Sequence, residues 1–113
     1  MKRWELVIDD DDLVGVPDQT IHVRTQAEAI AVLKSRRFWD AVYFDHDLGH
    51  GGDTMEVAHW LREATASGTA PSIERVYVHS MNPVGAENLY EVLRKLYPTQ
   101  RISLPFGRVA PPL

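Results

Sequence analysis

Three groups of polar side chains in this sequence have the residue types needed to bind a cation. Aspartates fill positions 9–12, directly after the apolar run Trp4–Ile8. Asp45-His46-Asp47 follows a second apolar run, and His79-Ser80-Met81-Asn82 ends a third. Neighbouring carboxylates repel one another unless a cation joins them, and Mg²⁺ prefers carboxylate oxygens. The pattern therefore predicts a divalent metal site, with Mg²⁺ as the first candidate and Mn²⁺ as the alternative.

An anion site is predicted beside these carboxylates. Asn82 precedes Pro83, which is typical of an N-cap followed by the first residue of a helix. The start of a helix offers free backbone N–H groups and a positive dipole end to an anion. Each group also has an ordinary structural interpretation, since aspartates form solvated turns and His79 suits a buried strand. Only their joint placement favours a phosphate site.

The elements that position these groups follow from apolar runs and helical periodicity. Strands are predicted at Trp4–Ile8, Thr20–Arg24, Trp39–Phe44, Arg75–His79 and Arg101–Leu104. Helices are predicted after Thr25, over Asp53–Ser67, and from Asn82 to about Tyr97. Thr25 and Glu28 match a capping box, and Gly68 is suited to end the second helix. Residues Leu13–Gln19 contain Gly15 and Pro17, which indicates a loop.

This alternation predicts an α/β fold with a mostly parallel, five-stranded, flavodoxin-like sheet and helices on both faces. In such sheets, ligands bind at the carboxyl ends of the strands, where the three polar groups would become neighbours. The connection between the first two strands is too short for a crossover helix. Either it crosses without a helix or these two strands are antiparallel.

Length and composition set the outer bounds. The 113 residues predict one domain over 1–113, with a proline-rich tail from about 105. The absence of cysteine excludes disulfides and thiolate metal sites and fits a cytoplasmic protein. No apolar run approaches the roughly 18 residues of a membrane span. The net charge of −4 argues against a bulk nucleic-acid-binding surface.

The motifs resemble those of the cyclic-phosphate-processing receiver-like family, which is related to two-component receiver domains. That family is similar to a receiver without its first helix. The residues that carry the resemblance are Asp9-Asp10, Arg24-Thr25, Glu28-Ala29-Ile30, Asp45-His46-Asp47-Leu48-Gly49, and His79-Ser80-Met81-Asn82 with Gly85 and Asn88. The resemblance runs from about Trp4 to Leu96, and it implies a receiver-like sheet whose first and last receiver helices are missing or reduced.

The resemblance implies a role in processing cyclic phosphate ends of RNA or nucleotides. Together with the predicted metal site, it leads to the first hypothesis, a metal-dependent phosphoesterase. Its expected metal ligands are Asp9, Asp10, Asp45 and Asp47. Its expected catalytic residues are Asp45, His79 and His46, and its expected phosphate-binding residues are Ser80, Asn82, Gly85 and Arg24. Asp45 would either attack phosphorus directly or only bind the metal while water attacks.

Two departures leave alternatives open. The family often has an arginine where this chain has Asp12, so Arg24 or Arg108 would have to replace it. Signalling receivers also carry a lysine near the end of the last strand and a fifth helix, and this chain has neither after Lys95. The second hypothesis is a receiver-like signalling or interaction module with Asp45 as phosphoacceptor or with no catalysis. A nuclease of the Toprim type ranks third, because Toprim domains require a glutamate after the first strand and this chain has aspartates there.

Overall fold

A computed structural model describes residues 3–49, 52–103 and 106–108. Its elements, in chain order, are β1 (Glu5–Ile8), β2 (Leu13–Val14), β3 (Ile21–Val23), α1 (Gln26–Lys34), β4 (Phe38–Asp45), α2 (Met55–Ala66), β5 (Ser72–His79), α3 (Pro83–Leu93), β6 (Thr99–Arg101) and β7 (Gly107–Arg108). None of the helices formed by these residues is long and apolar enough to cross a membrane.

Five strands form one parallel sheet in the order β3-β1-β4-β5-β6, which confirms the predicted flavodoxin-like fold. Within it, Ile8 pairs with Phe44, and Asp45 pairs with His79. The three strands that carry the polar groups therefore end together at one edge. β1 and β3 are parallel, so residues 9–20 cross between them without a helix.

All three helices pack on one face of the sheet, and the expectation of helices on both faces is wrong. They share one core with the same side of each inner strand, including Leu6, Val42 and Val76. The connections from β3 to β4, β4 to β5 and β5 to β6 all cross in one direction. Right-handed crossovers therefore place every helix on the same side.

The face of the main sheet opposite the helices is partly covered by a second sheet of two strands. β2 pairs antiparallel with β7, and the Phe106 ring meets the Tyr43 ring edge-on at 5.3 Å between centroids. Residues Leu13–Gln19 were predicted as loop, so β2 is a correction. Its strand partner lies at the other end of the chain, and the short segment has no local strand pattern to reveal the pairing.

The helix caps agree with the predicted helix starts. The Thr25 hydroxyl accepts a hydrogen bond from the Glu28 N–H at 3.1 Å, and Asn82 Oδ1 accepts one from the Gly85 N–H at 3.1 Å. α2 begins at Met55 rather than Asp53, although the Asp53 carboxylate accepts a hydrogen bond from the Met55 N–H at 3.0 Å. These bonds satisfy N–H groups that a helix start would otherwise leave unpaired.

Several element boundaries differ from the predictions, most of all in β5, α3 and β6. β5 begins at Ser72 rather than Arg75. α3 ends at Leu93 rather than near Tyr97. The last strand is Thr99–Arg101 rather than Arg101–Leu104, and Leu104 lies outside the described residues. The apolar residues after Arg101 favoured the later placement. The strand instead begins directly after Pro98, whose carbonyl accepts a hydrogen bond from the Val76 N–H at 2.8 Å.

Candidate active site

Three carboxylates meet at the carboxyl edge of the sheet. Asp9 and Asp10 follow β1, and Asp45 is the last residue of β4. One oxygen from each of the three side chains lies within 4.8 Å of the others. Asp9 is fully buried and Asp45 is half-buried. The structure therefore brings together three of the four residues that were expected to bind metal.

Backbone contacts hold the buried Asp9 in place. Its N–H donates to the Val23 carbonyl at 3.0 Å, which extends the pairing of β1 with β3 by one residue. Its own carbonyl lies 2.8 Å from Nε2 of His22. One carboxylate oxygen accepts a hydrogen bond from the Asp11 N–H at 2.9 Å. These contacts fix the orientation of a charged group that burial would otherwise disfavour.

Burial and neighbouring charges both act on the carboxyl group of Asp10. Burial, followed by the charges of Asp11 and Asp9, raises the pKa of Asp10 above its ordinary value of 3.8. The nearby Arg24 guanidinium opposes this rise in pKa. A cation held between the carboxylates would relieve the same repulsion.

The Asp-Leu-Gly turn after β4 closes over this carboxylate. Gly49 has a φ of +57°, a conformation that favours glycine. A Cβ atom built on Gly49 would lie only 2.7 Å from Oδ2 of Asp10. The glycine of the motif therefore allows the backbone to approach the acidic cluster closely.

His79 lies beside the carboxylates at the end of β5. It is 2% exposed, it pairs with Asp45 in the sheet register, and its Nε2 is 3.6 Å from Oδ2 of Asp9. Histidine titrates near neutral pH, so an imidazole in this position can donate or accept a proton at the cluster. The catalytic role of His79 stays a prediction.

His46 occupies a separate position on the helix side of the sheet edge. Its Nδ1 lies 2.8 Å from Oδ1 of Asp47, and its Nε2 lies 3.9 Å from Oδ2 of Asp53. A Cβ atom on Gly85 would lie 2.5 Å from the imidazole Nδ1, so the ring packs against the start of α3. The other Asp47 oxygen is 3.5 Å from the Ser80 hydroxyl.

Asp47 thus neighbours His46 and Ser80, and it is outside the group of three carboxylates that lie within 4.8 Å. Its predicted role as a metal ligand stays a prediction. Sequence reasoning assigned Asp53 only to the helix start and missed its approach to His46. The antiparallel bridge between Asp47 and Asp53 produces that approach, and no spacing rule in the sequence indicates it.

The expected phosphate-binding residues already bind one another in part. The Ser80 hydroxyl accepts a hydrogen bond from the Asn82 N–H at 3.0 Å, and Asn82 in turn caps the Gly85 N–H. Pro83 has no N–H to offer. The start of α3 therefore has fewer free donors than the sequence suggested.

Arg24 lies beside the acidic loop. Its guanidinium donates to the Asp10 carbonyl at 2.8 Å and to the Asp12 carboxylate at 2.7 Å. Both side chains of this ion pair are largely exposed. Arg24 therefore contacts Asp12, the position at which the family often has an arginine. The side chain of Arg108 lies outside the described part of the chain.

A family model described as a cyclic-phosphate processing receiver domain matches residues 4–95 of this chain. No curated protein and no solved structure matches it. The matched segment contains all of the main sheet except β6, all three helices and every expected metal ligand, catalytic residue and phosphate-binding residue except the alternative arginine, Arg108. The chain therefore belongs to the family of cyclic-phosphate processing receiver domains.

Proposed function

We propose that this domain is a metal-dependent phosphoesterase that opens cyclic phosphate ends of RNA or nucleotides. The observation that carries the proposal is the convergence of Asp9, Asp10 and Asp45, whose oxygens lie within 4.8 Å of one another, beside the buried His79. The family to which the chain belongs supports a connection with cyclic phosphates.

The three carboxylates fit a hard divalent cation. They supply only oxygen donors, and the charge of Asp9 contributes, after burial and the charge of Asp11, to the raised pKa of Asp10. Asp9, Asp10 and Asp45 would hold the cation, with Mg²⁺ as the first candidate and Mn²⁺ as the second. A bound cation would offset negative charge on the phosphate and lower the pKa of a water molecule.

The reaction replaces one phosphorus–oxygen bond by another. The oxygen of water forms a bond to phosphorus, and the bond from phosphorus to the 2′ or 3′ oxygen breaks. The departing oxygen takes a proton, and His79 is the proposed donor because its imidazole lies beside the carboxylates. The attacking water releases one proton to solvent, and the imidazole regains a proton from solvent after the reaction. Arg24, Ser80, Asn82 and Gly85 surround the same edge and are the proposed phosphate contacts.

Asp45 has two alternative roles within this scheme. Its carboxylate either attacks phosphorus first, which leaves the ring-opened nucleotide attached to Asp45 through an acyl phosphate that water then hydrolyses, or it binds only the cation. Mass spectrometry of the acid-quenched protein distinguishes the routes, because only the first leaves the nucleotide attached to Asp45. The Asp45→Asn variant is expected to lose turnover in either case.

A receiver-like switch is the second candidate function. It is favoured by the sheet order and by the position of Asp45 at the end of β4, where receivers carry their phosphoacceptor. The absence of any lysine after Lys95 counts against it.

The deciding experiment compares two treatments of the same protein. One sample receives acetyl phosphate and Mg²⁺, and the other receives an oligonucleotide ending in a 2′,3′-cyclic phosphate with Mg²⁺ or Mn²⁺. We expect conversion of the cyclic end to a phosphomonoester, blocked by a chelator and by Asp45→Asn. A long-lived phospho-Asp45 without any turnover would favour the switch instead.

A further inference from the structure

We propose that the second face of the sheet holds the base of the substrate against the ring of Tyr77. The preferred substrates would then be nucleoside 2′,3′-cyclic phosphates, free or at an RNA end, rather than cyclic phosphates without a base. This inference rests on the proposed function and names the part of the substrate that the carboxylate cluster leaves unrecognised.

An aromatic stack on this face is open at one end. The rings of Tyr43 and Tyr77 are stacked with centroids 4.8 Å apart and planes inclined by 21°. Their separation matches the spacing of roughly 4.8 Å between neighbouring strands, so the rings stand face to face across the gap between β4 and β5. Phe106 meets Tyr43 edge-on. The remaining face of Tyr77 is turned toward β6.

A cavity of about 220 Å³ lies next to Tyr77 on that side. Arg75 and Tyr77 of β5 border it together with Pro98, Thr99 and Gln100 at the start of β6. Sites for drug-sized molecules measure roughly 300–1,000 Å³, so this smaller cavity suits a single planar group such as a nucleobase.

The groups around the cavity are those that recognise bases. An aromatic face provides sequence-tolerant stacking, and the Gln100 amide can donate to and accept from a base edge. Arg75 and Gln100 are both exposed. Among the described residues, the ion pairs include no partner for Arg75, so its guanidinium is available to the substrate.

The cavity and the carboxylate cluster share one side of the same strands. Tyr77 comes two residues before His79 on β5, and Tyr43 comes two residues before Asp45 on β4. Side chains two residues apart point to the same face and are separated by roughly 6.6 Å along a strand. A phosphate at the strand ends would therefore leave the base of the same nucleotide beside Tyr77.

Two substrates and three variants test this inference. Turnover of adenosine 2′,3′-cyclic phosphate and of the base-free glycerol 1,2-cyclic phosphate is measured for wild type, Tyr77→Ala, Tyr77→Phe and Gln100→Ala. Loss of one stacking contact lowers kcat/KM for the nucleoside substrate by about tenfold to a hundredfold in Tyr77→Ala. Tyr77→Phe keeps the wild-type value, exposed Gln100→Ala lowers it less, and the base-free substrate is unaffected throughout. An equal effect of Tyr77→Ala on both substrates overturns the inference.

A binding measurement separates this inference from the proposed function. The ring proton resonances of Tyr77 are followed by NMR during addition of adenosine 3′-phosphate or inorganic phosphate. A stacked base shifts the Tyr77 signals, and phosphate alone does not. Such a shift without any turnover would support the base site while the enzymatic proposal fails. Turnover that is independent of Tyr77, with no shift, would support the enzyme and reject the base site.

Discussion

The buried imidazole of His79 and the carboxylate of Asp45 are neighbours on adjacent strands, so the proposed proton donor and a proposed cation ligand lie side by side. His46 differs, because its ring lies between Asp47 and Asp53 and packs against α3. We therefore propose His79 as the proton donor and His46 as a residue that fixes the loop.

We expect His79→Ala to slow the opening of a cyclic phosphate by about 10²–10⁴-fold, the usual effect of losing a general acid or base. His59→Ala, on α2, is the matched control and is expected to retain the rate. Rates are measured under single-turnover conditions on variants whose circular dichroism matches the wild type. Full activity of His79→Ala together with loss in His46→Ala would transfer the proton-donor role to His46.

Asp10 allows a test of the charge in the cluster without any substrate. Its pKa is raised in the folded protein, so the folded state holds the proton more tightly than the unfolded state. The resulting stabilisation is fully present below the ordinary pKa of 3.8 and is lost as the pH rises through the folded value.

With a chelator present at pH 7, the free energy of unfolding of Asp10→Asn is therefore expected to exceed that of wild type by up to about 1 kcal/mol. The gain is small because the site is partly exposed and solvent screens its charges. The difference should shrink below pH 4, and added Mg²⁺ should raise the Tm of wild type more than that of the variant. Asp12→Asn, which removes the partner of Arg24, should give no gain. A lower Tm for Asp10→Asn in chelator would show that burial and the neighbouring carboxylates do not disfavour the charged form of Asp10.

The position of His46 depends on the contact between α3 and the loop after β4. Gly85 is buried in the first turn of α3, and a Cβ there would lie 2.5–2.8 Å from three atoms of the imidazole. Alanine ordinarily favours a helix over glycine by about 1 kcal/mol. Packing and helix propensity therefore predict opposite signs for the same substitution.

We expect Gly85→Ala to destabilise the domain by about 1–3 kcal/mol, the usual cost of overpacking a core. The double variant Gly85→Ala/His46→Ala should recover part of that loss, because the small side chain at position 46 leaves room for the new methyl group. Urea unfolding of the four proteins in this cycle gives the coupling free energy. A stabilised Gly85→Ala would mean that helix propensity outweighs the contact with His46.

For the molecule as a whole, the mostly parallel five-stranded sheet and the convergence of the polar groups could be predicted from the sequence. Apolar runs such as Trp39–Phe44 identify buried strands, and acidic residues directly after them must lie at the edge where parallel strands end. Asp9, Asp10, Asp45 and His79 were found in this way. The caps at Thr25 and Asn82 gave the helix starts, because capping is a local interaction.

What the sequence could not indicate depends on contacts between distant segments. The pairing of β2 with β7 and the bridge between Asp47 and Asp53 have no periodic pattern. The strand Thr99–Arg101 lies at the edge of the sheet, and an edge strand can be polar because one side of it is not buried. The apolar pattern therefore predicted the strand at the residues that follow it. The face on which each helix packs depends on the order of the strands in the sheet, and the apolar pattern does not give that order.

The carboxylate cluster lies at the carboxyl edge of the sheet, and we propose that this edge opens cyclic phosphates. The most direct test is ³¹P NMR of a nucleoside 2′,3′-cyclic phosphate incubated with the wild-type protein and Mg²⁺ or Mn²⁺. We expect the cyclic diester signal to be replaced by a phosphomonoester signal, and excess chelator to prevent this. A cyclic signal that is unchanged with both metals would mean that the domain does not open cyclic phosphates.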